Sequence, residues 1–223
     1  MKVLKARNLM WLVAALILDV LIILVLVFNS AVDEMPSAKA VLVRFGLATL
    51  LPIPLLLLSS LITSNLKAVL IFWRWKFPLP GARAFSVHAP ADPRIDLDKL
   101  RRNVGAFPVG ERDQNSKWYG LYRLVDTDEA VADSHKNYLL FRDIAALSLL
   151  LTAVVPFGMY ISEMPGVGAV AAIFSLQYLL AAISARTSGV RLVQNVLAVH
   201  ASRKVTGSKP APRKPAVDVE AVR

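Results

Sequence analysis

One carboxylate stands inside an otherwise apolar run. Asp19 lies near the middle of residues 9–28 and is the only charged side chain in that stretch. A carboxyl group at the centre of a bilayer must be paired or uncharged, and must face protein rather than lipid. Such a group is what a path for a proton, an ion or a small solute would use. Insertion tolerates it: a central Asp costs at most about 3.5 kcal/mol, whereas the 15 Leu, Ile, Val and Phe residues of the stretch contribute about 0.3–0.6 kcal/mol each. Thr152 and Gln177 fall at about the same depth when each apolar run is counted from its inner end, as do Pro52 and Pro54. A polar layer across a helical bundle is therefore expected. One carboxyl with two neutral partners suits an interhelical hydrogen-bond clamp of roughly 1 kcal/mol better than a transport path. Arg44 is the second charge inside an apolar run. It would have to reach down most of its length to meet Asp19, and it lies near enough to a span end to snorkel to the headgroups instead.

Other chemistry leaves little trace. His88, His135 and His200 are far apart and lack the spacing of paired metal ligands, so no metal is expected. Asp133 and His135 are two residues apart on an expected helix and cannot share a face. Ser116, Ser134 and Ser148 have no nucleophile-elbow context. Residues 105–110 begin and end in glycine but lack the Lys-Ser/Thr ending and flanking strand of a phosphate loop. The chain has no cysteine, which excludes disulfides and thiol chemistry. No cofactor is called for, and the reading is of a non-enzyme.

The elements that would position Asp19 are four apolar stretches, 9–28, 41–62, 144–161 and 167–185, with Asp19 and Arg44 their only charges. Each is about long enough to cross a bilayer. Lys and Arg crowd particular flanks: residues 1–8 hold Lys2, Lys5 and Arg7 with no acid, and the segment from Arg186 onward holds 8 basic against 2 acidic residues. Cytoplasmic segments retain Lys and Arg, so both termini are expected inside. The short loops at 29–38 and 162–166 carry no Lys or Arg and should face outward. The first apolar stretch exceeds a signal-peptide core and has no clear cleavage site, which favours an uncleaved anchor. Of the formal net charge of +10, most sits beside these spans. Anionic headgroups account for it better than nucleic acid does, since no basic surface with interleaved stacking aromatics stands out. The Ala, Val and Arg bias and the compact loops suit a bacterial inner membrane.

The expected fold is thus all-α: a four-helix transmembrane bundle with a small helical cytosolic domain between spans 2 and 3. Residues 1–73 form the first hairpin, 74–143 the insert, 144–206 the second hairpin with a helical extension, and 207–223 a basic tail. Trp73, Arg74, Trp75 and Lys76 alternate aromatic and basic side chains at the end of the second span, as an interfacial anchor does. In the insert, Asp92-Pro93 predicts a helix start with Gly105 as its stop. A second helix is expected over 114–124. A third should begin at Asp126 or Thr127 and run on into the third span, projecting about 16 residues, or ~24 Å, beyond the membrane. Gly168, Ala172, Ser175, Ala182 and Gly189 form a stripe of small residues that suits either packing within one subunit or a homo-oligomer contact.

Residues 114–123 and 135–143 are dense in aromatics, and Trp118, Tyr122, Tyr138 and Phe141 are expected to pack against one another as a small core. Together with residues 80–86, these segments resemble small bacterial inner-membrane proteins with four spans and a cytosolic insert. The resemblance implies a topology and brings no activity with it. Two functions remain open from the residues: an anchor, sensor or scaffold whose cytosolic helices dock a partner protein, and a small oligomeric channel or transporter subunit using the Asp19 layer.

Overall fold

A computed structural model describes the backbone of residues 2–29, Gly46 and residues 61–205, with side chains in the first helix described for 10–25. Among the described residues every regular element is helical. They are α1 (Lys2–Asn29), α2 (Ser64–Phe72), a 3₁₀ turn (Pro80–Arg83) running into a π-helical turn (Ala84–His88), α3 (Leu97–Val104), α4 (Glu111–Val125), α5 (Glu129–Ile161) and α6 (Val167–Ser202). Two helices, α5 and α6, are long and apolar enough to cross a membrane, and α1 adds a shorter apolar stretch, Met10–Val25. Apart from Gly46 and its last two residues, the expected span at 41–62 lies outside the described residues, as do Arg44, Pro52, Pro54 and the tail from 206.

Local chemistry sets the element ends. Asp128 caps α5 by accepting a hydrogen bond from the Ala130 N–H at 3.2 Å, and the helix then runs unbroken through Pro156 to Ile161. The turn into α6 needs a left-handed backbone at Gly166, φ 84°, which glycine adopts without a side-chain penalty. Gly105 ends α3 as expected. The start of α3 is a correction. Asp92 does not cap it, because its carboxylate is taken by Arg94, whose Nη2 lies 2.7 Å away. Asp96 caps instead, accepting from the N–H groups of Asp98 and Lys99 at 3.0 Å.

α5 and α6 pack along their length and form the axis of the molecule. Toward the hairpin turn, Leu147, Leu151, Val155 and Met159 of α5 meet Val170 and Phe174 of α6, with Ile23 of α1 against them. Beyond residue 185, α6 continues as the spine of the insert. Val193, Leu197 and Ala201 close a core with Ala84, Phe85, Ala89, Ile95 and Leu100. Leu192 and Val196 close another with Val125 and Val131. Residues 74–143 therefore do not make a core by themselves, as a unit that short has too little interior of its own.

The small-residue stripe divides between two environments. Ala182 and Gly189 are buried within the chain, whereas Gly168 and Ala172 are exposed. At Gly189 the packing leaves no room: a Cβ there would stand 2.9 Å from Phe72 Cζ and 3.1 Å from Tyr138 Cδ2. That glycine lets α2 and α5 approach α6 closely.

Candidate functional site

Asp19 is fully buried, and Gln177 Nε2 of α6 donates to its Oδ1 at 2.7 Å. The other carboxylate oxygen, Oδ2, is buried with no hydrogen-bond partner among the described residues. Thr152 does not join this pair. Its hydroxyl donates to the Ser148 carbonyl of its own helix at 2.8 Å, and Ser148 does the same to Ile144 at 2.9 Å. A hydroxyl one helical turn from a carbonyl is satisfied locally and has no need to cross to another helix. A primary amide has no such bond within its own turn, and Gln177 reaches across. Among the described residues the expected layer is thus a pair, Asp19 and Gln177, that ties α1 to α6.

A second group of polar side chains lies where the apolar parts of α5 and α6 give way to the insert. Lys67 of α2 is buried and donates from Nζ to Asp143 Oδ1 at 2.9 Å. Arg142 Nη2 shares that oxygen at 3.0 Å. Trp73 ends α2 in a left-handed conformation, φ 52°, with its N–H bonded to the Val69 carbonyl at 2.8 Å. Its indole faces Tyr178 Oη at 3.4 Å, and Tyr178 in turn donates to the Leu70 carbonyl at 2.8 Å. Arg186 stacks over the Trp73 ring, 5.7 Å from its centroid. Arg74 pairs with Glu111 of α4 at 2.9 Å. The four residues of the expected anchor are therefore not equivalent: Trp73 and Arg74 hold α2 to α6 and α4, while Trp75 and Lys76 are exposed, Trp75 at 85%. Trp75, Phe77, Leu79 and Arg112 line a cavity of about 360 Å³ on this side.

The expected aromatic core is corrected as well. Trp118 and Tyr122 stack at 5.7 Å, and Tyr122 Oη lies 2.9 Å from His135 Nδ1. Tyr138 instead meets Phe72, with ring centroids 6.3 Å apart, and shares with Phe141 the cluster built on Ala181, Ala182 and Ala185. Two separate clusters result: His135 of α5 meets Tyr122 of α4, whereas Tyr138, one turn further along the same helix, meets Phe72 of α2.

Gln114 was visible only as a helix residue, yet it holds the insert together. Its Oε1 accepts from the Phe85 N–H at 3.1 Å, the Ser86 N–H at 3.2 Å and Ser86 Oγ at 3.2 Å, while Nε2 donates to the Val109 carbonyl at 3.1 Å. The π-helical turn leaves these N–H groups without helical partners, and a buried amide supplies one. A signal existed. Gln114 occupies the same helical face as Trp118, Leu121 and Val125, and a lone uncharged polar residue in an apolar stripe marks a buried hydrogen-bonding task.

On the far side of the insert a polar cavity of about 550 Å³ is lined by Asp92, Arg94, Ser134, Arg191, Gln194 and Asn195. Arg94 donates to Asn195 Oδ1 at 3.0 Å, and Asn195 Nδ2 donates to Ser134 Oγ at 2.7 Å. Hydrogen bonds from Arg94 hold the Asp92 carboxyl below the usual carboxylate range. His200 Nε2 donates to the Leu121 carbonyl at 3.0 Å, which in the neutral ring leaves Nδ1 unprotonated. Comparison with protein-family models, with curated proteins and with solved structures finds no match to this chain.

Proposed function

We propose that the protein is a four-span inner-membrane protein with both termini cytoplasmic, a non-enzymatic anchor or scaffold whose cytosolic helices dock a partner protein. The charge layout of the loops supports the topology. The docking reading rests on one observation: the polar cavity of about 550 Å³ opens on the continuation of α6, the helix whose other half is the apolar span. A partner seated there would be held directly by a membrane helix. Arg191 is exposed on that face. Purification from mild detergent after crosslinking should retain one partner in fixed proportion, and Arg191→Glu should release it without unfolding the chain. Purification of the protein alone, crosslinked or not, would sink the reading.

A second reading has its own observation. Among the described residues Asp19 Oδ2 is buried without a partner, as a carboxyl that takes up and releases a cation in an oligomeric channel or transporter subunit would be. Asn keeps the shape and the bond from Gln177 but no acidic proton. Asp19→Asn should then abolish flux in reconstituted vesicles while assembly persists. Flux equal to that of the wild type rejects this reading.

A further inference from the structure

Three arginines from different parts of the chain converge where the insert meets the apolar helices. Arg74 follows α2, Arg83 ends the 3₁₀ turn, and Arg186 lies on α6 directly after the apolar stretch 167–185. The charges of Arg74 and Arg186 both bear on Arg83, and among the described residues Glu111 is the carboxylate that offsets them. Glu111 is already engaged by Arg74 at 2.9 Å, so three cations share one anion. Two buried nitrogens in the same neighbourhood have no hydrogen-bond partner among the described residues, Arg83 Nε and His88 Nε2. Burial, with Arg74 and Arg186 nearby, pushes the Arg83 guanidinium below its ordinary range. A buried guanidinium nitrogen left unbonded beside like charges is costly unless an anion completes it.

The position of this group names the anion. Arg186 stacks on Trp73, and Trp73 is half exposed beside Tyr178. Aromatic side chains of this kind sit at headgroup level in membrane proteins, which puts the arginines at the depth of lipid phosphates. We propose that Arg74, Arg83 and Arg186 form a binding site for a phosphate group, presented by the head of an anionic phospholipid in the cytoplasmic leaflet or by free phosphate. Guanidinium groups suit this ligand because their forked donors match phosphate oxygens. The placement at headgroup depth rests on the membrane reading above, whereas the convergence of the three cations does not.

The test uses the full chain in nanodiscs of equal parts phosphatidylcholine and phosphatidylglycerol, with retained lipid counted by native mass spectrometry. The wild type should retain phosphatidylglycerol in preference to phosphatidylcholine. Arg83→Gln and Arg186→Gln should each reduce that retention about tenfold, as loss of one charge-assisted hydrogen bond would. Arg123→Gln removes the same charge from an exposed position of α4 and should leave retention unchanged. Arg186 is also exposed, so its variant folds even if Arg83→Gln does not, and circular dichroism checks both. In a second arm, lipid-stripped protein in detergent is melted with inorganic phosphate. Stabilisation there that Arg186→Gln abolishes would assign the site to free phosphate and uphold it. Equal retention in all four proteins, with no response to inorganic phosphate, overturns the site. Flotation of the wild type with vesicles reads the membrane assignment separately, since failure to float sinks that assignment and leaves the phosphate arm standing.

Discussion

In a Gln114→Leu variant the insert is expected to lose about 3 kcal/mol of stability, because two backbone N–H groups and one hydroxyl lose their common acceptor while an apolar side chain of similar size fills the space. Phe85 is 4% exposed, so water cannot replace the lost acceptor at its N–H. The loss should be local before it is global. Hydrogen exchange at the Phe85 and Ser86 amides should accelerate, and the stacking of Phe85 on Phe107, with centroids 5.0 Å apart, should loosen with them. Gln114→Glu separates the two halves of the clamp: it keeps the acceptor and removes the donor to the Val109 carbonyl. A melting temperature for Gln114→Leu equal to that of the wild type would mean that the turn at 84–88 does not depend on this amide.

Acid should weaken the fold through His88. Burial, with the charges of Arg83 and Arg186 close by, pushes the His88 imidazole from 6.5 down to about 4. An unfolded chain would titrate this histidine near 6.5. Between those two values the unfolded state binds a proton that the folded state refuses, so stability rises with pH across the window and falls as pH is lowered through it. The contribution is fully present above about 6.5 and is lost by about 4, a difference of up to about 3 kcal/mol. His135 and His200 are also pushed down by burial, and they act with the same sign. Melting temperatures taken between these limits should fall steadily toward acid, and His88→Gln should flatten the slope. An identical slope in wild type and His88→Gln would remove His88 as its source. An anion bound beside Arg83 and Arg186 would screen the charges that keep His88 neutral, so the slope should also soften in anionic lipid.

The features legible without coordinates are those that depend on neighbours along the chain. Gly105 bounds α3 because a stop of this kind is a backbone angle at the residue itself, whereas α5 begins later than the expected Asp126 or Thr127, at Glu129 with Asp128 as its cap. The long α5 could be anticipated because no breaker interrupts it before Pro156, and a buried proline within an apolar helix is tolerated. Asp19 and Gln177 could be placed at one depth by counting residues at 1.5 Å each, and the fold joins them across 158 positions of sequence at 2.7 Å. Counting says nothing about azimuth. It could not tell that Thr152, at the same depth, would turn back on its own helix.

What the sequence by itself determined is the distribution of apolar and charged residues: the apolar character of α5 and α6, the helical class, and the crowding of Lys and Arg at their ends. Hydropathy is a property of residue types and needs no partner. Only the tertiary structure decided which of two aspartates caps α3, that Trp118 and Tyr122 part company with Tyr138 and Phe141, and that Gln114 bonds the turn at 84–88 while Arg74 pairs with Glu111. Each of these depends on which face of a helix meets which neighbour. Helical periodicity defines a face, but the occupant opposite it comes from residues tens to more than a hundred positions away, and that choice is made by packing.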